Sequence, residues 1–220
     1  MGKLLNLVNP LHQSTKRDYI GRMVDDKAAC MKTARLYDKE FWDGDRRFGY
    51  GGYKYDGRWS VVAKRLIDNY KLGDGFSCLD VGCGKGFLLH ELKVLSQGAR
   101  VAGFDISEYA ISQAKEEVLS HLFVHSAETP LPYGDKEFDL AISLTTLHNL
   151  EIFKLKTALE EMERVARDKF LVVESYRNEP ELFNLQCWAL TAECFYRPEE
   201  WIWLFDHFGY TGDYEFIFFE

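Results

Sequence analysis

Residues 79–86, Leu79-Asp80-Val81-Gly82-Cys83-Gly84-Lys85-Gly86, join an apolar run ending in an acid to three glycines at alternate positions. The run Phe76–Val81 reads as a buried strand. Beyond the glycines, Leu88, Leu89, Leu92 and Leu95 fall on one helical face, which predicts a helix over 86–96. A glycine loop between strand and helix lets backbone approach a ligand closely at the helix N-terminus. It is not the dinucleotide fingerprint, because G-x-G-x-x-G would need glycine where Phe87 stands. It is not a phosphate loop either, since no Gly-Lys-Ser/Thr closes it. Asp80 offers a fixed anion to an ammonium group. Asp105, 21 residues after Gly84 and at the end of the next apolar run, can accept two hydroxyl hydrogens from a ribose.

Outward from this loop, short apolar runs alternate with amphipathic stretches. Arg100–Asp105 reads as a second strand, and Ser107 as the N-cap of a helix carrying Ala110, Ile111, Ala114 and Val118. Leu122–His125 and Phe138–Ser143 are the third and fourth strands. A helix with Leu155, Leu159, Met162 and Val165 leads to the fifth, Lys169–Glu174. A helix around Pro198–Phe208 and an apolar strand, Asp213–Phe219, complete six strands, with no room for a seventh. This alternation predicts an α/β fold, a doubly wound and mostly parallel sheet of Rossmann-like type, with its ligand at the C-terminal ends of the strands. Residues 82–86, 105–107, 126–128, 143–149 and 174–177 should share one rim. Residues 1–70 are expected to form a mainly helical cap or lid, and 71–220 the core.

Composition narrows the class. At 220 residues, 46% hydrophobic and 28% charged, the chain can bury a sizeable core and is not disordered. No apolar run approaches the roughly 18 residues of a membrane helix, and residues 1–13 lack the pattern of a signal peptide. Five cysteines without a CxxC argue against a disulfide framework and a zinc site, so a soluble cytoplasmic protein is expected. No metal is expected, because the six histidines lack a ligand cluster. Residues 1–70 carry 14 Lys and Arg against 9 Asp and Glu, whereas the remaining 150 carry 13 against 26. An acidic body without a basic tract disfavours nucleic acid, which needs clustered cations. A basic N-terminal segment beside it would suit a lid over an anionic ligand, or simply a solvated helical surface.

A ligand with an amino-acid head, a ribose and no pyrophosphate fits the loop and the two aspartates: S-adenosylmethionine. The chain resembles the class I S-adenosylmethionine-dependent methyltransferases over about residues 76–174, at four ordered stations. These are Asp80–Gly86, Asp105-Ile106-Ser107, Ser126-Ala127-Glu128 before Leu131-Pro132-Tyr133, and Phe138-Asp139 leading to Leu144, Leu147 and His148. The last two are most similar to the small-molecule branch that includes the ubiquinone and menaquinone C-methyltransferases. Ser126 departs from the Asp or Asn common at its station. The resemblance implies that Gly82, Cys83 and Gly84 border the methionine part, with Asp105 on the ribose and Ile106 against the adenine. It implies Ser126, Ala127 and Glu128 at the adenine edge and Leu144 near the sulfonium.

Methyl transfer asks the protein to position a nucleophile and remove a proton. His148, just past the fourth strand, suits proton removal near neutrality, or else packs over the cofactor and orients a loop. Glu174, ending the fifth strand, is a second candidate base or a substrate ligand; His12 and Tyr19 would enter from a lid. The stretch Tyr50–Arg58, rich in glycine and tyrosine, would close over the cofactor, with Tyr55 beside it and Arg58 on the methionine carboxylate, or else form an ordinary loop whose tyrosines pack on Trp59. The many C-terminal aromatics would be core, and any exposed remainder would mark a homodimer surface or an apolar pocket. The expected function is methyl transfer to an O, N or C atom of an anionic or hydroxylated small molecule. The alternatives are a protein methyltransferase or a non-catalytic scaffold.

Overall fold

The computed structural model describes residues 2–220. Its strands are β1 (Ser77–Val81), β2 (Arg100–Asp105), β3 (Leu122–Val124), β4 (Phe138–Leu144), β5 (Ala166–Glu174) and β6 (Asp213–Ile217). They form one sheet in the order β3-β2-β1-β4-β5-β6, with every pair parallel. The order reverses between β1 and β4, so the crevice of a doubly wound sheet opens beside the glycine loop.

Helices α1 (Asn9–Gln13), α2 (Tyr19–Val24), α3 (Lys27–Ala34), α4 (Lys39–Trp42) and α5 (Ser60–Tyr70) precede the sheet. Within and after it come α6 (Phe87–Leu95), α7 (Glu108–Ser112), α8 (Glu116–Leu119), α9 (Ile152–Val165), α10 (Glu179–Trp188) and α11 (Pro198–His207). Among the described residues, no helix is long and apolar enough to cross a membrane.

Alternation along the central strands feeds two cores. Leu79 and Val81 of β1, Ala141 of β4 and Leu171 and Val173 of β5 face α9 and α11, whose Leu159, Met162, Trp201 and Phe205 are fully buried. Cys78, Leu140, Ile142, Phe170 and Val172 point the other way, onto Val62 and Leu66 of α5, Leu89 and Leu92 of α6, and Leu185 of α10. Because both faces are covered, these strands read as continuous apolar runs.

Three local expectations change. The single helix expected after Ser107 breaks into α7 and α8, because Lys115 takes an extended backbone (φ −67°, ψ 142°); Val118 still turns inward. Strand β5 begins at Ala166, three residues early, as its polar start pairs with Phe138 and Leu140 of β4. Helix α10 was not anticipated, although Asn178 caps it by accepting the Glu181 N–H at 3.0 Å, a capping pattern readable in the sequence.

The segment 1–70 divides in the structure. Leu4 bridges Tyr214 in parallel, and the Glu215 carboxylate accepts the N–H groups of Leu7 (2.7 Å) and Val8 (3.0 Å), which covers the β6 edge. With α5 in the core, it is residues from α1 to Trp59 that reach the rim. Of the C-terminal aromatics, Phe183 and Trp203 are exposed and the rest are buried or half-buried.

Candidate active site

The loop after β1 owes its shape to glycine. Gly82 (φ 81°) and Gly84 (φ 55°) are left-handed. A Cβ on Gly82 would stand 2.3 Å from the Thr146 side chain, and one on Gly84 2.9 Å from the Trp42 ring. The Asp105 carboxylate clamps the loop, accepting the Gly84 N–H at 2.8 Å on one oxygen and the Ser107 N–H at 2.9 Å on the other.

A cavity of about 190 Å³ opens above this loop. The structure brings Asp80, Gly82, Cys83, Gly84, Asp105, Ile106, Ser126, Ala127, Glu128 and Leu144 together in its wall, from the ends of β1, β2 and β4 and the turn after β3. Asp80 is buried, and its carboxylate accepts no hydrogen bond among the described residues. Burial first, and then the neighbouring Asp105, push its carboxyl up to about 8. A buried carboxyl left without a donor is costly, and an ammonium group from a ligand would satisfy it. Burial raises Asp105 as well, against the N–H bonds that favour its charge. An acid for an amine, an acid with spare lone pairs for hydroxyls and an apolar Ile106 ledge fit the amino-acid and nucleoside parts of S-adenosylmethionine.

The N-terminal segment roofs this cavity. Trp42 and Tyr50 stack at 5.2 Å with planes 10° apart, and the Trp42 indole N–H donates to Ser107 Oγ at 2.9 Å. Lys85 of the glycine loop reaches Asp43 at 2.6 Å, while the Tyr109 hydroxyl (2.8 Å) and the Tyr53 N–H (3.0 Å) donate to the same carboxylate. Asp43 thereby ties roof to loop. Tyr37, Phe41, Trp42, Tyr50, Tyr53 and Trp59 line the cavity; Tyr50 and Tyr53 belong to the Tyr50–Arg58 stretch expected over the cofactor, whereas Tyr37, Phe41 and Trp42 were not expected there. The aromatic density of Phe41-Trp42 was the available signal.

Tyr55 and Arg58, expected beside the cofactor, do not join this wall. The Tyr55 hydroxyl donates to Glu91 Oε1 at 2.7 Å, away from the loop, and Lys115 sits 4.0 Å from its ring. Arg58 is held by Asp56, two residues away, and borders a second space. A carboxylate so near in sequence already satisfies the guanidinium.

That second space, of about 490 Å³, adjoins the first. Phe41, Tyr50, Tyr53, Trp59, Thr145 and Asn149 line both. Thr145 there has φ 55°, a strained conformation for a β-branched residue. His148 and Glu174 line the second cavity, with His148 Nε2 3.4 Å from Glu174 Oε2. The Glu174 backbone N–H donates to His148 Nδ1 at 3.3 Å, so the imidazole proton belongs on Nε2, facing the carboxyl. Burial pushes His148 down to about 3, which keeps it neutral and makes it a poor base. Burial pushes Glu174 up to about 7, partly offset by the Arg17 charge. Of the two lid candidates, His12 lines this cavity, whereas the Tyr19 hydroxyl donates to the Glu220 carbonyl at 3.2 Å.

Comparison with known proteins places this architecture. A family model described as a methyltransferase domain matches residues 72–209. The mitochondrial arginine-hydroxylase NDUFAF5 of Mus musculus is 28% identical over 142 residues, 64% of this chain and 40% of that protein. An uncharacterized methyltransferase of Synechocystis is 29% identical over 119 residues, 53% of this chain and 55% of the relative. The chain thus spans about 40 to 55% of the length of these curated relatives. Among solved structures, the YcgJ protein of Bacillus subtilis superposes with a TM-score of 0.53 at 19% identity, over 66% of each chain, and shares the fold. The family match covers more than half of the chain and takes in the loop, Asp105 and five of the six strands, so this chain belongs to the S-adenosylmethionine-dependent methyltransferases.

Proposed function

We propose that the chain methylates a small molecule, with the methyl donor in the glycine-loop cavity and the acceptor in the adjoining one. The observation that carries this reading is Glu174: a carboxyl raised to about 7, held beside a neutral imidazole and lining the larger cavity. S-adenosylmethionine, when bound, supplies an electrophilic methyl group on a sulfonium. In this reading Asp80 receives the amino group, Asp105 the ribose hydroxyls and Ile106 the adenine face, with Ser126, Ala127 and Glu128 along the adenine edge. Leu144 keeps the region of the sulfur apolar. Glu174 accepts the proton of the acceptor O–H, N–H or acidic C–H, for which a base near the working pH is best suited. His148 acts as the group that orients it. The aromatic roof excludes water from both cavities. We place the reaction in the cytoplasm, in keeping with five unpaired cysteines.

The deciding experiment incubates the protein with methyl-labelled S-adenosylmethionine and size-fractionated cell extract. Label in the small-metabolite fraction is the expected result. Label confined to protein would overturn the small-molecule reading. Asp105→Ala removes the loop clamp together with the hydroxyl acceptor. Calorimetry should show S-adenosylhomocysteine binding weakened by roughly 1.5–3 kcal/mol, the usual cost of losing hydrogen bonds to a charged group. Unchanged affinity would mean that the ribose is held elsewhere.

A further inference from the structure

We infer that the acceptor carries an anionic head group, a carboxylate or a phosphate, gripped by Arg17, Arg22 and Arg46 at the Trp188 end of the second cavity. This rests on the reading of that cavity as the acceptor site. All three arginines line it. Their guanidinium carbons lie 5.4, 4.0 and 4.8 Å from the centre of the Trp188 ring, so one indole gathers three cations from separate parts of the N-terminal segment.

Among the described residues, no carboxylate comes within ion-pair distance of any of the three, whereas Arg35, Arg47, Arg58, Arg164 and Arg177 each have one. Their present partners are neutral. Arg22 donates to the carbonyls of Arg46 (2.6 Å) and Gly49 (3.2 Å), Arg46 to that of Gly49 (2.7 Å) and Arg17 to that of Thr15 (3.0 Å). Burial, and then the charges of Arg46 and Arg17, push Arg22 down to about 10. Two half-buried cations, Arg17 and Arg22, and a more exposed third, Arg46, repel one another and are stabilised by an anion between them.

Two further donors stand open. Arg17 Nε is buried without a partner. Arg17 Nη2 lies 3.1 Å from His12 Nδ1; as arginine can only donate, Nδ1 accepts and the proton sits on Nε2, which is also buried without a partner. At the wall shared with the first cavity the polarity reverses. Asn149 Nδ2 donates to the Thr146 carbonyl at 3.0 Å, which leaves Oδ1 as a buried, unpartnered acceptor. Donors around Trp188, an acceptor on Asn149 at the wall shared with the first cavity, and Glu174 in the same lining, near enough to feel the Arg17 charge, fit a molecule with an anionic tail and a proton-bearing nucleophile. A guanidinium or ammonium acceptor would meet three like charges, so this cavity is unsuited to an arginine side chain.

The test uses the full chain loaded with S-adenosylhomocysteine and titrated in a calorimeter with succinate, inorganic pyrophosphate and L-arginine. At least one anion should bind, more weakly as salt is raised, and L-arginine should not. Arg17→Gln and Arg46→Gln should each weaken that anion by about tenfold or more, while Arg46→Lys, which keeps the charge, should lose less. Succinate against pyrophosphate tells carboxylate from phosphate. If the Gln variants fail to fold, as read by circular dichroism, the salt dependence of the wild type and the Arg46→Lys loss decide. Failure of both anions to bind, equal binding in folded Gln variants, salt-independent binding or equal binding of L-arginine would overturn the inference. Failure of S-adenosylhomocysteine to bind is a separate result, and defeats the methyltransferase reading instead.

Discussion

Glu174→Gln is expected to lower turnover by about 10²–10⁴-fold, the usual contribution of a positioned general base. Affinity for S-adenosylhomocysteine should be kept, because Glu174 lines the second cavity and not the first. Glutamine preserves the shape and the polar contact with His148 but cannot accept the proton. Wild-type activity should show the matching pH dependence. The reactive form is the carboxylate, and burial raises the carboxyl from 4.5 to about 7. The rate should therefore climb about tenfold per pH unit below that value and level off above it. Rate measurements across this range, with acceptor found by the labelling experiment, should lose the inflection in the variant. Full activity in Glu174→Gln would place the base elsewhere and leave Glu174 as a substrate ligand.

The second large effect is expected at Gly82. Gly82→Ala combines a left-handed backbone (φ 81°) with a Cβ that would lie 2.3 Å from both Oγ1 and Cγ2 of Thr146. Backbone strain of about 1–3 kcal/mol and overpacking of about 1–3 kcal/mol together imply a loss of roughly 2–6 kcal/mol. If the loop gives way while the sheet persists, that loss appears as S-adenosylhomocysteine binding at least about thirtyfold weaker. If the loop is held in place, it appears as a lower melting temperature. Calorimetry and thermal melting on the same preparation separate the two. A variant unchanged in both would show that Thr146 and the loop have free room to move.

The parts of this protein legible from its residues are those fixed by local periodicity. Leu79, Val81, Ala141 and Val173 alternate with residues facing the other core, and so mark strands buried on both sides. The leucines of α6 repeat at helical spacing. Gly82 and Gly84 between such elements signal a close backbone approach, and Asp105 follows because parallel pairing sets β2 beside β1, with Val81 opposite Phe104. Strand ends carry the wall of the first cavity, and regular elements place their own ends. Where local pattern was weak, as in α10, cap residues were present but no apolar stripe announced the helix.

The roof and the second cavity lie beyond such patterns. Trp42 meets Ser107 across 65 positions, Asp43 meets Lys85 across 42, and Arg17 and Arg22 meet Trp188 more than 160 positions away. No spacing rule relates these residues, and Arg58 shows how charge alone misleads: a nearby carboxylate satisfies it, while more distant arginines go without. His148 and Glu174 are visible in the sequence as a histidine and an acid at strand ends. Which of them can take a proton depends on burial and on the direction of one backbone N–H, because desolvation, not identity, sets the neutral form of each. Periodicity along the chain therefore specifies the sheet and the loop, whereas charge states and counter-ions follow from which distant surfaces exclude water together.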